Sequence, residues 1–467
     1  MRKLFLFITA ILIATPLYGQ AAKSPQPSDT THHLARDIFA EMIAIPSTES
    51  GVGSTPVAEA VARRLKAAGY PDNDVHVIGP EKRKKNLVVR LRGSSEAQSK
   101  PILLLAHIDV VEAPVEQWAT NPFELVEKDG YFYGRGTSDI KDGAAILAAN
   151  MIRWKREGWV PKRDIIMALT ADEEGGPANG VEWLLKTNRP LIDAKYCLNT
   201  DGGDFQLRDG KPLLTTFETA EKWYSDWTLE THNPGGHSSI PRKDNAVYQL
   251  AVALRKLQAL RFPAQLSDTS REYFRAQAAL HTGQAASDLK AAAEGDAQAI
   301  ERLSETPFYN SLLRTTCVAT TVEAGHARNA LPQMARANVN CRATPQTTVE
   351  EIQRAIAQAI GDSGVTVTPA GTWTASPESP LNREVMTAMQ QTVNFIWPGV
   401  PVVPFMETGA TDGRALRLAG IPVYAVSGVF IDMHDVRAHG RNERIPVKSF
   451  YEGLEFYDRF VKAVAGK

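Results

Sequence analysis

The chain has 467 residues, 43% of them hydrophobic, and a formal net charge of −1 at neutral pH. Such a length allows two domains of ~100–200 residues each, and a charge so close to zero gives no general reason to expect a polyanionic partner, so no nucleic acid is expected. Three cysteines are too few, and odd in number, for a disulfide framework.

At the N-terminus Arg2 and Lys3 precede an apolar run over residues 4–17, followed by Gly19, Gln20 and Ala21. This order predicts a signal peptide over residues 1–21 and a secreted or periplasmic protein, with an uncleaved anchor as the rival reading. A polar linker follows at 22–31. No later apolar run reaches the ~18 residues of a membrane span, so the mature chain is expected not to be membrane-embedded. Helical periodicity covers 34–45, 56–68 and 143–156. Short apolar runs at 86–92, 102–106, 165–170 and 196–199 read as buried strands. The alternation predicts an α/β domain with an open, mostly parallel sheet flanked by helices.

Near residue 217 the pattern changes. Residues 223–231 alternate like a half-exposed strand, 245–257 read as a helix, and 263–313 are largely helical. Strands follow at 315–323 and 333–342, then a helix at 349–360 and a strand at 365–369. Cys317 and Cys341 lie in the two strand-like stretches, where they either pair across a hairpin or serve as small buried hydrophobes. From 374 the helix–strand alternation resumes and ends in a helix over 447–465. The pattern predicts one α/β domain built from residues 32–216 and 374–467, interrupted by an inserted α+β domain over 217–373.

Three predicted strands run directly into metal-type side chains. The strand at 102–106 meets His107 and Asp109, that at 165–170 meets Asp172, Glu173 and Glu174, and that at 196–199 meets Asp201. Ligands of open α/β sheets bind beyond the carboxyl ends of strands. His, Asp and Glu without Cys suit zinc or a similar divalent ion. Taken singly, each group has an ordinary reading: a hydrogen-bonded loop pair, helix N-terminal charge, a turn before Gly202, or, for Asp139, a helix cap. Their joint occurrence points to metal.

In this context the chain resembles the zinc-dependent amidohydrolase and exopeptidase family that includes aminoacylase, glutamate carboxypeptidase, carnosine dipeptidase and succinyl-diaminopimelate desuccinylase. The stretches that carry the resemblance are AHIDVV at 106–111, GRGTSDIKDG at 134–143, TADEEGG at 170–176, NTDGG at 199–203, GGHSSIP at 235–241, ARNALP at 327–332, GATDGR at 409–414 and AHGRNERI at 438–445. They stand in the family's order. The resemblance implies two Zn²⁺ ions per subunit, with Co²⁺ or Mn²⁺ as alternatives. It implies His107 and Asp201 on one ion, Glu174 and His439 on the other, and Asp139 bridging both, followed by a cis peptide bond. His434 competes with His439 for its place. Asp109 is implied to orient His107 and Glu173 to act as general base.

The resemblance further implies that the inserted domain is a lid and dimerisation domain, giving a homodimer. His237 is then the oxyanion partner, reaching the site from its own or the other subunit. Asn329, Arg414 and Arg342 are candidate clamps for a substrate carboxylate. Glu112 stands where the family often has Pro. The activity implied is cleavage of an amide bond next to a terminal amino acid in a small peptide, of carboxypeptidase or dipeptidase type, with an N-acyl amino acid deacylase as the alternative. The helical stretch at 263–313 is similar to the carboxypeptidase-S-like branch. A non-catalytic binding protein on the same fold is disfavoured because every implied ligand and Glu173 are present. A single-zinc protease is disfavoured because no His-Glu-x-x-His stretch occurs.

Overall fold

The structure is a computed structural model that describes residues 29–94 and 99–466. The expected signal peptide and most of the expected linker lie outside the described residues. The first helix, Asp29–Ile43, takes in the linker's last three positions. Among the described residues, no helix is long and apolar enough to cross a membrane.

A ten-stranded sheet forms the centre. Its middle holds four parallel strands in the order Ile165–Thr170, Ile102–His107, Tyr196–Asn199 and Val423–Ala425. The first three are buried along their whole length, as befits strands covered on both faces. Alternate side chains serve opposite layers. Ile102, Leu104 and Ala106 pack with the helices Lys141–Arg156 and Val447–Ala465 through Ile146, Trp154, Leu454 and Phe460. Leu103 and Leu105 pack on the other face with Ile166, Val181, Leu184, Cys197 and Leu416. Cys197 is there a buried free thiol. Two polar ties lock the helix pair: Trp154 Nε1 donates to Asp458 at 2.7 Å and Asn150 Nδ2 to the carbonyl of Leu454 at 3.0 Å.

The strand Lys211–Glu221 belongs to this large sheet, where it pairs with Val402–Glu407 and Phe205–Arg208. The boundary expected at 217 therefore falls inside a strand, and the second sheet begins at Trp223. That sheet has the order Thr316–Ala324, Met334–Ala343, Trp223–His232, Val365–Pro369. The alternation of buried residues with half-buried or exposed ones along Trp223–His232 matches a sheet with one covered face. Trp227 and Leu229 meet Leu250 of the helix Ala246–Gln258 and Ile352 and Ile356 of the helix Val349–Ile360.

Two features of the insertion correct the sequence reading. Cys317 and Cys341 face each other across paired strands and form a disulfide, so these two are not merely small hydrophobes. The helical stretch, made of Asp268–Leu280, Gly283–Ala293, Ala297–Leu303 and Pro307–Leu313, covers the large sheet. Its Tyr273, Phe274, Leu289 and Leu313 pack on Leu214, Val403 and Phe405. In sequence it lies within the insertion, and in space it builds onto the α/β domain.

Candidate metal centre

The strand ends and the loops after them converge on one cluster. His107 closes its strand, and its Nε2 lies 3.1 Å from Asp139 Oδ1. His439 Nε2 lies 2.9 Å from Asp139 Oδ2 and 2.9 Å from Glu174 Oε2. Asp139 thus presents one carboxylate oxygen to each imidazole. Ligand atoms of His107, Asp139 and Glu174 lie within 4.8 Å of one another, as do those of His107, Glu173 and Asp201. The Asp139–Ile140 peptide is cis. His439 adopts φ 60°, the left-handed region that few non-glycine residues occupy. Gly143 lets the loops of Asp139 and Asp201 approach, since a Cβ there would sit 2.4 Å from Thr200 Oγ1.

The electrostatics describe a site short of positive charge. Burial raises the Glu173 carboxyl well above its usual range, with Asp201, Asp412 and Glu174 adding repulsion. Burial and the negative charge of Asp139 push Glu174 to about 7. Burial, followed by Asp139, Asp412 and Glu174, takes Asp201 to about 8. Burial also works against the charge of Asp139, but hydrogen bonds from His107 and His439 hold that carboxyl below its usual range. Glu174 Oε1 is buried without a hydrogen-bond partner. An unmatched acceptor among crowded carboxylates and two imidazoles fits a divalent cation, and the nitrogen–oxygen donor set suits Zn²⁺, Co²⁺ or Mn²⁺.

The supporting contacts differ in part from expectation. His107 Nδ1 lies 3.1 Å from the backbone carbonyl of Asp109 and 3.8 Å from its carboxylate. The carboxylate instead accepts the backbone N–H groups of Glu173 at 3.2 Å and Glu174 at 3.1 Å. Asp109 thus holds the imidazole through its main chain and the acidic turn through its side chain. Glu112 accepts from Ser50 N and Oγ, both at 2.8 Å, and so ties its loop to the first helix–loop segment.

The residue that sequence reasoning missed is Glu443. Its Oε1 accepts the N–H groups of Ser138 at 2.7 Å and Asp139 at 3.1 Å, and its Oε2 accepts Gly136 N–H at 3.2 Å and the Arg135 guanidinium. Arg135 also donates to the carbonyl of Gly440 at 3.0 Å. Both side chains are buried, and together they clamp the loop of Asp139 to the loop of His439. The one signal in the sequence was an acid four residues after His439. Asp412, in the stretch at 409–414, is likewise buried and accepts from Thr170 Oγ1 at 2.8 Å and Asn179 Nδ2 at 2.6 Å.

Other candidates lie outside the cluster. His434 uses its backbone N–H on Asp432 at 2.9 Å and is not among the grouped ligands, whereas His439 contacts two of them. His237 sits on the two-residue strand Gly236–His237 paired with Ala330–Leu331, exposed, with Nδ1 2.7 Å from Ser239 Oγ. Asn329 is its neighbour, its carbonyl accepting Ser238 N–H at 3.0 Å. Arg414 donates to the carbonyl of Thr374 at 3.2 Å and faces Glu182 at 3.8 Å. Arg342 lies over the Tyr224 ring, 4.9 Å from its centre.

Two cavities flank the cluster. One, of about 800 Å³, is lined by Asp139 and Asp201 and by apolar side chains of the helical stretch and the large sheet. The other, of about 610 Å³, has Asp109, Glu174 and His439 in its wall together with Lys84 and Asp172.

Comparison with known proteins gives the family and the fold. The model of "Peptidase family M20/M25/M40" matches residues 103–463. The N-fatty-acyl-amino acid synthase/hydrolase PM20D1 of Xenopus tropicalis is 28% identical over 78% of this chain and 72% of its own. The probable carboxypeptidase S-like 2 of Dictyostelium discoideum is 28% identical over 81% of this chain and 74% of its own. In fold, the M20 family metallo-carboxypeptidase Sso-CP2 of Sulfolobus solfataricus superposes with a TM-score of 0.67 at 17% identity, over 92% of this chain and 99% of that one. The chain belongs to peptidase family M20/M25/M40 and is an amidohydrolase or peptidase enzyme.

Proposed function

We propose that this member of peptidase family M20/M25/M40 uses two metal ions to hydrolyse the amide bond that joins a terminal amino acid to a peptidyl or acyl group. The observation that carries the reading is the convergence of His107, Asp139, Glu173, Glu174, Asp201 and His439 from separate strand ends and loops. Asp139, with one oxygen toward each imidazole, is suited to lie between two ions, with His107 and Asp201 holding one and Glu174 and His439 the other. Zn²⁺ ions bound there would polarise the carbonyl and bring a water's pKa toward ~7.

Glu173 is the general base. It lies with His107 and Asp201, yet no ligand role is required of it. Burial keeps its proton affinity high, as a group needs that takes a proton from the attacking water and delivers it to the leaving nitrogen. Asp109 and Glu443 keep the acidic turn and the Asp139 loop in place.

His237 supplies the oxyanion partner from the other subunit of a homodimer. Two features support this: His237 is exposed and its ring hydrogen-bonds to Ser239 in its own loop, and the insertion offers apolar surface for pairing. Val318 and Val322 are exposed on the edge strand Thr316–Ala324, as are Tyr248 and Val252 on the helix Ala246–Gln258. Secretion or export to a periplasm is supported by the leader-like residues 1–21 and by the Cys317–Cys341 disulfide, a bond that persists in oxidising compartments.

Peptidyl donors make the enzyme a carboxypeptidase or dipeptidase, and acyl donors make it an N-acyl amino acid deacylase. The test is a panel of dipeptides, tripeptides and N-acyl amino acids, assayed for free amino acid with metal-loaded and chelated protein. Release that chelator abolishes and Zn²⁺ restores supports the proposal. No release from any member by protein shown to hold two metals overturns it.

A further inference from the structure

The larger cavity has a polar floor that the metal cluster does not use. It is laid by the strand Phe205–Arg208, which follows the Asp201 loop. Side chains alternate along a strand. Phe205 and Leu207 turn into the core of the large sheet, so Asp204, Gln206 and Arg208 share the other face, and all three line the cavity. Four residues of strand at ~3.3 Å each set Arg208 ~13 Å beyond Asp204. Tyr273, Leu280, Phe308 and Tyr309 of the helical stretch form a wall over this floor.

The charged groups around this space are engaged, with one exception. Asp139 and Asp201 belong to the metal centre, where the proposed ions offset their charge. Glu407 accepts the N–H groups of Thr408 at 2.7 Å and Gly409 at 3.2 Å. Asp204 accepts Gln206 Nε2 at 3.2 Å. His281 donates Nδ1–H to the carbonyl of Gln277 at 2.8 Å, which in the neutral ring leaves Nε2 an acceptor. Arg208 is the exception. It is exposed, its Nη2 meets only the weak acceptor Met433 Sδ at 3.7 Å, and no ion pair engages it among the described residues. Asp432 of the neighbouring strand lies level with Leu207, on the opposite face. Asp209 and Lys211, beside the turn that follows, carry opposite charges. The far end of the floor therefore presents a guanidinium with free donors.

We propose that Arg208 is a specificity-determining residue that binds a carboxylate at the remote end of the acyl or peptidyl half of the substrate. The inference rests on the amide-hydrolase reading given above and adds to it a recognition site away from the scissile bond. The α-carboxylate of the terminal amino acid is one carbon from the scissile nitrogen. It stays beside the metals and cannot reach a group lying beyond Asp204 by the length of four extended residues. An anion at Arg208 must belong to a longer group laid along the floor, and the guanidinium fork suits a carboxylate in two-point contact. Two sources supply that chemistry: an acyl chain that ends in a second carboxylate, and a peptide with an acidic side chain two or three residues before the scissile bond.

The test measures kcat/KM of the metal-loaded full chain on pairs of substrates of equal length. One arm uses a single amino acid acylated with dicarboxylic chains from succinyl to dodecanedioyl, each beside the chain of the same length that ends in methyl. The other uses tetrapeptides with Glu or Gln at each position before the scissile bond. In at least one arm the carboxylate raises kcat/KM by roughly 5–10-fold at the length that reaches Arg208, between the worth of an exposed ion pair and that of a buried charge-assisted hydrogen bond. The arm that responds identifies the source. Arg208→Gln brings that ratio to about one, and Arg208→Glu inverts it and favours a chain ending in an amine. Arg208 is exposed, so neither change disturbs the core. Turnover with no gain from a carboxylate at any length, or a gain that persists in both variants, overturns the role of Arg208 and leaves the amide-hydrolase reading standing. No turnover of any substrate by protein holding its metals overturns both.

Discussion

Replacing Glu443 with Gln tests whether a buried carboxylate outside the ligand set holds the metal loops in register. The two oxygens of Glu443 accept at least four hydrogen bonds: from Ser138 and Asp139 backbone N–H on one side, and from Gly136 N–H and Arg135 on the other. Glutamine keeps the shape but turns one of those oxygens into an NH₂ donor. Whichever way the amide points, a donor then faces donors, and the Arg135 guanidinium, 3% exposed, loses its counter-charge. Breaking a buried ion pair by removing one partner costs ~3–5 kcal/mol. Loosening a residue that orients ligands costs ~10–100-fold in metal affinity. We expect Glu443→Gln to lower unfolding free energy in urea by about 3–5 kcal/mol and to weaken Zn²⁺ binding by competition titration by ~10–100-fold. The double variant Arg135→Met/Glu443→Leu removes both charges. It should recover neither the stability nor the metal affinity in full, because the N–H groups of Gly136, Ser138 and Asp139 then lack an acceptor, each at a cost of roughly 1–3 kcal/mol. A Glu443→Gln protein with stability within ~0.5 kcal/mol of the parent and unchanged metal affinity would refute the clamp.

Three further outcomes follow from the same geometry. Glu173→Gln should retain both metals by elemental analysis while kcat falls by ~10²–10⁴-fold, the usual worth of a general base; near-normal turnover would remove Glu173 from that role. Cys317→Ser should lose about 3.5 kcal/mol of stability, the chain-entropy value for a bridge between positions 24 residues apart, and reductant should lower the parent's melting temperature without affecting the variant's. Asp435 should contribute to the loss of stability in acid. Burial opposes its charge, but Arg444 and Arg437 hold its carboxyl below the usual range. A depressed folded pKa contributes stability that is fully present above the ordinary carboxylate value and is lost as pH falls through the folded value. Asp435→Asn should therefore be less stable than the parent at neutral pH, with the difference shrinking below about pH 4; a gap that stays constant down to pH 2 would contradict this.

The sequence alone determined the architecture of the central sheet and most of the cluster, because both are written locally. An apolar run such as Ile102–His107 must be buried on both faces wherever it lies, and the residue after it must emerge at the sheet's edge. His107, Glu173, Glu174 and Asp201 were therefore legible as candidates from three strand ends, whereas Asp139 and His439 entered only through the stretches that resemble the family. Tertiary structure alone decided what depends on partners far along the chain. Glu443 meets Ser138 across 305 positions, and nothing in either neighbourhood announces the other. Asp109 carried a recognisable carboxylate, yet only the position of the acidic turn directed it to the amides of Glu173 and Glu174 and left His107 to the carbonyl. Cys317 meets Cys341 because the register between two strands happens to align them. The helices from Asp268 to Leu313 showed their periodicity but not their destination. An amphipathic face specifies that something apolar will cover it, and the path of the whole chain, bringing Leu214, Val403 and Phe405 beneath them, specifies what.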